Sequence, residues 1–231
     1  MKKFTMTSPL VSTIIPAHNG EEYIKEAIES ALQQDYLSQE IWVIDNASSD
    51  NTAEIVRSFS QVNYVFSAIA NTAMARNLGA TYAQGKYLAF LDQDDWWPKQ
   101  KISLQVEFLQ KNINYGAVIG MQKIYLEPGC ERPHWAKEAW FEKLQYAYLP
   151  SALMVRRNVF LDCHAFNEDL PFASDVDWFL RIKNAGVMLK ILPDLIVNRR
   201  IHSKNNSSQI AALHKEILLS LKESIRYGRK S

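Results

Sequence analysis

Short apolar runs alternate with helical patterns through the first half of this chain. The β-type runs lie at residues 11–15, 41–44 and 64–66, and helical patterns separate them at residues 21–34 and 51–60. This alternation predicts βαβαβ connections, and therefore a mostly parallel sheet flanked by helices. Apolar residues recur with helical spacing in the first helical pattern, at Ile24, Ala27, Ile28, Ala31 and Leu32. They form one stripe that can pack on the sheet, so the expected fold class is α/β with a Rossmann-type sheet.

The sheet is expected to continue beyond this unit. A helical pattern at residues 72–82 precedes an apolar run at residues 87–91, which is typical of a central strand buried on both faces. In the second half, residues 117–126 are predicted to form a strand and residues 176–185 a helix. Residues 127–150 are less regular and rich in Pro, Trp and Tyr.

Two helix starts carry local signals. The helix at residues 51–60 is expected to begin with a capping box formed by Asn51 and Glu54. A helix at residues 98–111 is expected to hold Pro98 near its first turn, where the missing N–H has no cost.

The charge balance limits the classes of partner. The chain has 26 Lys and Arg against 25 Asp and Glu, so no global field favours nucleic acid, and any phosphate binding must be local. The cysteines Cys130 and Cys163 lie far apart without a metal-binding spacing, which indicates a reducing compartment and no structural zinc. No apolar run reaches the ~18 residues needed to cross a bilayer. A cytoplasmic protein with one domain and a tail is therefore expected.

Residues 210–231 are expected to form a C-terminal amphipathic basic helix. Its apolar face contains Ile210, Leu213, Ile217, Leu221 and Ile225. Its basic residues are Lys215, Lys222, Arg226, Arg229 and Lys230. Such a helix can dock on the domain, meet a partner or lie on a membrane surface. We favour docking, and peripheral contact at the inner face of a membrane stays open.

Polar segments follow three of the predicted strands. In open α/β sheets ligands bind outside the carboxyl ends of the strands, so residues 16–19, 45–46 and 92–95 are expected to share one cleft. Asp92 and Asp94 stand one residue apart, a pattern of hard oxygen ligands that suits Mg²⁺ or Mn²⁺ bridging a diphosphate. An acidic, solvated turn is the alternative, because Asp is a common turn residue.

Several segments taken together resemble the glycosyltransferase family 2 domains, which have the GT-A fold. The matching segments are residues 11–19, 43–52, 75–79 and 85–98, and the resemblance covers about residues 9–206. It implies a metal-dependent glycosyltransferase that takes a sugar from a nucleoside-diphosphate donor. It also implies a GT-A domain at residues 1–209, with a nucleotide-sugar-binding half at residues 1–115 and an acceptor-binding half at residues 116–209.

The resemblance assigns roles to individual residues. The implied donor-binding residues are Pro16, Ala17, His18, Asp45, Asn46, Arg76, Asp92 and Gln93. Asp94 and Asp92 would hold Mn²⁺ or Mg²⁺, and His202 in a late loop would contact the metal or a phosphate. Basic neighbours of this histidine suit phosphate charge: Arg199, Arg200 and Lys204.

Two positions depart from the family's pattern. Asn46 stands where a second aspartate is usual, and its amide can both accept and donate a hydrogen bond, which weakens the expectation of a uracil or thymine base. Ser174 stands where a glutamate is usual, before Asp175. The resemblance implies that Asp175 is the catalytic base and that Asp177 supports it or caps the helix. Alternatively, both aspartates only cap the helix N-terminus.

The implied reaction is an inverting transfer of a hexose-type sugar. The donor would be a UDP- or dTDP-sugar, and the acceptor the hydroxyl of a saccharide or lipid-linked saccharide in surface polysaccharide or glycolipid assembly. A non-catalytic nucleotide-sugar- or carbohydrate-binding relative of the same fold is one alternative. A sugar nucleotidyltransferase is another, although its usual basic, Gly-rich first loop is absent at residues 16–20. Neither GxGxxG after the first strand nor a P-loop motif occurs.

Overall fold

A computed structural model describes residues 8–133, 136–203, 205 and 210–228. The first half follows the predicted alternation of strands and helices. Its elements are β1 (Val11–Ala17), α1 (Ile24–Leu32), β2 (Gln39–Asn46), α2 (Thr52–Arg57), β3 (Val62–Ser67), α3 (Thr72–Tyr82) and β4 (Tyr87–Phe90). The prediction for α3 agrees with the structure at both ends, and the other elements differ from their predictions by a few residues.

The second half adds short elements around two long strands. They are α4 (Lys101–Lys111), β5 (Tyr115–Leu126), α5 (Ala139–Glu142), β6 (Gln145–Tyr146), a 3₁₀ turn (Pro150–Ala152), β7 (Met154–Arg156), α6 (Arg157–Asp162), α7 (Ser174–Asn184), β8 (Met188–Ile201) and α8 (Ile210–Gly228). The sequence predicted β5 and α7, but not β8.

One mixed sheet of eight strands organises the part of the chain that the structure describes. The strand order is β3-β2-β1-β4-β7-β5-β6, and β8 pairs with β5. β1 pairs in parallel with β2 and β4, β2 with β3, and β5 with β8. β7 is antiparallel to both β4 and β5, and β6 is antiparallel to β5. The expected α/β fold with a parallel core is confirmed; the short antiparallel strand β7 lies between β4 and β5, and β6 stands at the end of the strand order.

The central strands are buried because helices cover both faces of the sheet. All seven residues of β1 and all four of β4 are buried. The apolar stripe of α1 faces this core, with Ile24, Ala27, Ile28 and Ala31 at 0% exposure. α3 approaches the sheet closely at Gly79, where an added Cβ would lie 2.5 Å from Cγ2 of Ile14.

Both predicted helix starts were wrong in detail. Asn51 is the N-cap of α2, but its side chain makes no capping hydrogen bond and donates instead to Glu21. Asp50 takes over the capping position, because its carboxylate accepts from the backbone N–H of Thr52 at 3.0 Å. Pro98 lies before α4, which begins at Lys101.

The C-terminal helix α8 docks on the domain. Asn184 at the end of α7 donates from Nδ2 to Oγ of Ser224 at 2.9 Å, and Ser220 is 2% exposed. The docking interpretation therefore holds for the described residues, while Arg229 and Lys230 lie outside them. None of the helices in the described ranges is both long and apolar enough to cross a membrane.

Candidate functional site

A cavity of about 700 Å³ opens at the carboxyl ends of β1, β2 and β4, a volume in the usual range of ligand pockets. The loop after β1, the end of β2 and the loop after β4 all contribute to its wall, as the strand order requires. The first turn of α7, the end of β8 and one face of α8 complete it. Lining residues include Pro16, Ala17, His18, Asn46, Arg76, Asp92, Gln93, Asp94, Asp175 and His202. The structure thus brings together all of the predicted site residues except Asp45.

The loops after β1 and β4 are joined by a reciprocal pair of hydrogen bonds. The backbone N–H of His18 donates to Oε1 of Gln93 at 2.8 Å, and Nε2 of Gln93 donates to the carbonyl of His18 at 3.0 Å. Nδ1 of His18 lies 2.7 Å from the carbonyl oxygen of Asn46, which adds the end of β2 to this connection. The three polar segments therefore share a fixed relative position.

Asp45 lies beneath the cavity wall instead of in it. It is 1% exposed, and its carboxylate accepts from the backbone N–H of Ser48 at 2.9 Å and from the hydroxyl of Tyr64 at 2.6 Å. Burial, together with the hydrogen bond to this carboxylate, raises the pKa of Tyr64 to about 12. Asp45 shapes the turn after β2, and its direct contact with a nucleotide stays a prediction.

Asn46 is 3% exposed and lines the cavity with a defined amide orientation. Its Oδ1 accepts from the backbone N–H of Asn71 at 2.8 Å. A backbone N–H can donate only to the oxygen of an amide, so this bond fixes the orientation of the Asn46 amide group. Oδ1 faces Asn71, and the donor Nδ2 occupies the other side of the group. That nitrogen has no hydrogen-bond partner among the described residues. The side chain thus has an unused donor on the wall of the cavity.

Arg76 and Asp92 form an ion pair on the cavity wall. Nη2 of Arg76 lies 2.5 Å from Oδ1 of Asp92, and Arg76 is 7% exposed. The backbone N–H of Asp92 donates to Oγ of Ser151 at 3.0 Å. The cavity therefore contains a guanidinium that is almost fully removed from bulk water, where its attraction to anions is strengthened.

Asp94 lies opposite the end of β8. Its Oδ2 is 2.9 Å from Nε2 of His202 and accepts from Nδ2 of Asn205 at 2.8 Å. The ring of Tyr23 packs against the imidazole with centroids 4.6 Å apart. The backbone of β8 reaches this loop through a bridge in which Trp96 and Asn198 exchange N–H donors.

A divalent cation can be tested against this donor set. Among the described residues no group of three or more His, Cys, Asp or Glu side chains is arranged to hold a metal by itself. A Mg²⁺ or Mn²⁺ that bridges a diphosphate needs only one or two protein ligands, because phosphate oxygens and water complete its shell. Asp94, Asp92 and His202 offer carboxylate and imidazole atoms on the cavity wall. The residues present fit a cation shared with a diphosphate.

Asp95 and Arg200 have structural partners. Asp95 is 4% exposed and its Oδ1 accepts from the backbone N–H of Arg200 at 3.1 Å. Burial, reinforced by Asp94 and Asp92, raises the pKa of Asp95 well above its ordinary value. The guanidinium of Arg200 lies 5.0 Å from the ring of Tyr23 and 4.9 Å from the ring of Trp96, and it pairs with Glu26. Arg199 and Arg200 both line the cavity, and Lys204 lies outside the described residues.

Asp175 enters the cavity from the first turn of α7. Its Oδ1 accepts from the backbone N–H of the next residue, Val176, at 2.9 Å. Burial raises the pKa of Asp175 above its ordinary value, while the charge of Arg76 opposes that rise. The carboxylate therefore lies within electrostatic reach of the Arg76–Asp92 pair.

Asp177 is not among the residues that line the cavity. It is 4% exposed, and its Oδ2 accepts from Nε of Arg181 at 2.7 Å, one turn along the same helix. No side chain of the helix itself caps α7 at Ala173. Both aspartates lie in the first turn and Asp175 accepts from a backbone N–H there, so the catalytic role of Asp175 and the capping alternative both stay predictions.

Three residues at the site carried no signal in the sequence. Ser151 and Asn205 contact the acidic loop, and Glu216 of α8 contacts the start of α7. Each lies at least 40 residues from its partner along the chain. Local periodicity and spacing cannot reveal such contacts, because they depend on how the second half packs against the first.

A parallel α/β core, with a cavity at the strand ends that contains an acidic loop and a buried guanidinium, defines a GT-A-like fold. The Glycosyl transferase family 2 profile matches residues 12–168. The chain belongs to this family.

Relatives extend the comparison. An uncharacterized glycosyltransferase of Rickettsia felis is 30% identical over 237 aligned positions, covering 93% of this chain and 38% of the relative. The chain thus spans well under half of that curated relative. The Escherichia coli UDP-Glc:alpha-D-GlcNAc-diphosphoundecaprenol beta-1,3-glucosyltransferase WfgD is 40% identical over 110 positions, 46% of this chain and 44% of the relative.

A solved structure supports the fold. The mannosyltransferase PcManGT from Pyrobaculum calidifontis, in complex with GDP-Man and Mn²⁺, superposes with a TM-score of 0.73 at 18% identity. The match covers 96% of this chain and 65% of that chain.

Proposed function

We propose that this chain is an inverting glycosyltransferase that moves a hexose-type sugar from a UDP- or dTDP-sugar to an acceptor hydroxyl. The observation that carries the proposal is the shared cavity of Asp92, Arg76 and Asp175, which come from three different elements. Displacement of a diphosphate needs a carboxylate that can bind a cation, a positive charge near the phosphates and a separate carboxylate that acts as base. Asp92, Arg76 and Asp175 offer these three groups. Family membership and the E. coli relative, whose name includes UDP-Glc, support the same chemistry.

The residues divide the reaction between them. Asp175 takes the proton of the acceptor hydroxyl as its oxygen attacks the anomeric carbon. The bond from that carbon to the diphosphate oxygen breaks, and the electron pair leaves with the diphosphate. Arg76 attracts the phosphate charge that develops, and the joined loops at His18 and Gln93 hold the nucleotide in place.

Mn²⁺ or Mg²⁺ is the proposed cofactor, held by Asp94 with Asp92 and His202. A bound cation supplies Lewis-acid neutralisation of the leaving diphosphate. The structural neighbour with Mn²⁺ supports this choice.

The acceptor proposed is a saccharide or lipid-linked saccharide in surface polysaccharide or glycolipid assembly. The E. coli relative is named for a diphosphoundecaprenol-linked acceptor. The outer face of α8 exposes Leu218, Leu219 and Ile225, at 58%, 45% and 57%, which suits contact with the membrane that such an acceptor occupies.

Thermal stabilisation by nucleotides tests the donor site. UDP, dTDP, GDP, CDP and ADP are each added with and without Mn²⁺, because a ligand that binds only the native state raises its stability. We expect a metal-dependent shift for UDP or dTDP, and turnover of the corresponding nucleotide sugars. The variant Asp94→Asn should lose the metal-dependent part of the shift and turnover together. A native chain that no nucleotide stabilises would contradict the proposal.

A non-catalytic relative is the second candidate. Ser174, 2% exposed at the cavity wall, stands where the family usually has a glutamate. Nucleotide binding by the native chain without transfer to any saccharide acceptor would favour this candidate.

A further inference from the structure

The start of α7 is held from outside that helix. A helix begins with backbone N–H groups that have no partner within it, and side chains usually satisfy them. The N-cap of α7 is Ala173, which has no side chain able to cap. Ala173 is also fully buried, so water cannot readily replace the missing cap.

Glu216 of α8 supplies the missing acceptor. Its Oε2 accepts from the backbone N–H groups of both Phe172 and Ala173, each at 2.9 Å. Such bonds from a carboxylate to backbone N–H groups are stronger than neutral ones, and a negative charge is favoured at a helix N-terminus. Glu216 thus fixes the two residues that lead into α7.

The residue placed by this contact is Asp175. It is the second residue of α7, two positions after Ala173, so its backbone has little freedom once Ala173 is fixed. α8 also reaches the cavity directly, since Leu213 and Ile217 flank Glu216 on the lining face. At the other end of α7, Asn184 donates to the carbonyl and the hydroxyl oxygens of Ser224. The two helices are therefore tied at both ends.

We propose that Glu216 is a positioning residue for the transfer reaction: it acts through the backbone of α7 to set the place of the Asp175 carboxylate in the cavity. This inference rests on the proposed function, in which Asp175 is the base. It gives α8 a role in the chemistry beyond covering the domain. The donor side is not involved, because among the described residues the side chain of Glu216 bonds to Phe172 and Ala173 and not to the joined loops after β1 and β4.

The test compares Glu216→Ala, Glu216→Gln and Glu216→Asp with the native chain. Glu223→Ala is the matched control, since Glu223 is an exposed glutamate on the same helix. Three quantities are measured: kcat, the Kd for UDP with Mn²⁺, and amide hydrogen exchange of the peptide covering residues 172–178.

Glu216→Ala should lower kcat about tenfold or more, because small misplacements of catalytic groups have large effects on rate. The Kd for UDP should stay within about twofold of native, and the 172–178 amides should exchange faster. Glu216→Gln should recover most of kcat, since its amide oxygen can accept from the same two N–H groups. Glu216→Asp shortens the side chain by one methylene and replaces Glu216→Ala in the test if that variant does not fold. It should show a smaller loss of kcat than Glu216→Ala, with the Kd for UDP unchanged.

Unchanged exchange in Glu216→Ala, or a kcat equal to that of Glu223→Ala, overturns the positioning role. So does a native kcat in Glu216→Asp. Failure of the proposed function has a different signature: the native chain turns over no nucleotide sugar, or Asp175→Asn keeps full turnover. In either case the positioning role falls as well, because it needs Asp175 as the base, and faster exchange in Glu216→Ala then shows only that Glu216 holds the start of α7.

Discussion

A carboxylate that removes a proton must itself be ionised, and Asp175 lies where burial disfavours ionisation. Asp175→Asn should lower kcat by about 10²- to 10⁴-fold, the usual contribution of a general base, while the Kd for UDP stays close to native. Asp169→Asn, an exposed change of the same chemistry, is the control. Isothermal titration and a steady-state assay separate the two effects, and a Kd that changes as much as kcat would contradict the assignment.

The same carboxylate predicts the acid limb of the pH profile. The base works only when ionised, so kcat/KM should fall as pH falls through the pKa of Asp175. Because burial raises that pKa, and Arg76 only partly offsets the rise, the limb should lie above the ordinary range of an aspartate. Asp175→Asn should remove the limb from the residual rate.

The orientation of the Asn46 amide predicts that the variant Asn46→Asp changes the preference of the site for one nucleobase over another. Its Oδ1 is bonded to the N–H of Asn71, so the amide offers a ligand its Nδ2 donor. In Asn46→Asp a second acceptor replaces that donor, which favours the N3–H of uracil and opposes the N3 acceptor of cytosine. The ratio of Kd for CDP to Kd for UDP should therefore rise about tenfold in the variant. An unchanged ratio in calorimetric titrations would show that this amide does not contact the base.

At the scale of elements, α3 carries Arg76 to the cavity and depends on close packing at Gly79. A Cβ there would lie 2.5 Å from the fully buried Ile14 and 3.2 Å from Cγ1 of Ile44. Gly79→Ala should therefore destabilise the chain by about 1–3 kcal/mol through overpacking, although alanine in an exposed helix would stabilise it by about 1 kcal/mol. Urea unfolding measures the change, with the exposed Thr81→Ala in the same helix as control; a more stable Gly79→Ala would contradict the packing argument.

The elements also separate what the sequence can predict from what it cannot. α3 and the buried strands were predictable because their periodicity is local and because β1 and β4 are apolar on both faces. β8 was missed because Pro193 interrupts it and its pairing with β5 shifts register three times. The place of Asp45 beneath the wall depends on Tyr64 from the neighbouring strand β3, a contact between side chains that no spacing encodes.

At the scale of the whole molecule, α8 has one face on α7 and another that exposes Leu218, Leu219 and Ile225. We expect the chain to float with vesicles that contain anionic lipid, since an apolar helix face flanked by lysines binds such surfaces. Leu218→Gln combined with Ile225→Gln should reduce the recovered fraction. Leu37→Gln is the control, because Leu37 is 93% exposed on another part of the molecule. Equal recovery of both variants would rule out α8 as the contact.

The hydrogen-bonded pair of His18 and Gln93 has a consequence for how this site changes over evolution. The Gln93 side chain fills the space beside Gly20, and a Cβ added at that glycine would overlap it. A larger residue at position 20 therefore requires the amide of Gln93 to move away, or a shorter side chain at position 93, and either change breaks the present pair of bonds to the backbone of His18. Among related chains, positions 20 and 93 should thus covary, and the two loops should be inherited as a matched pair.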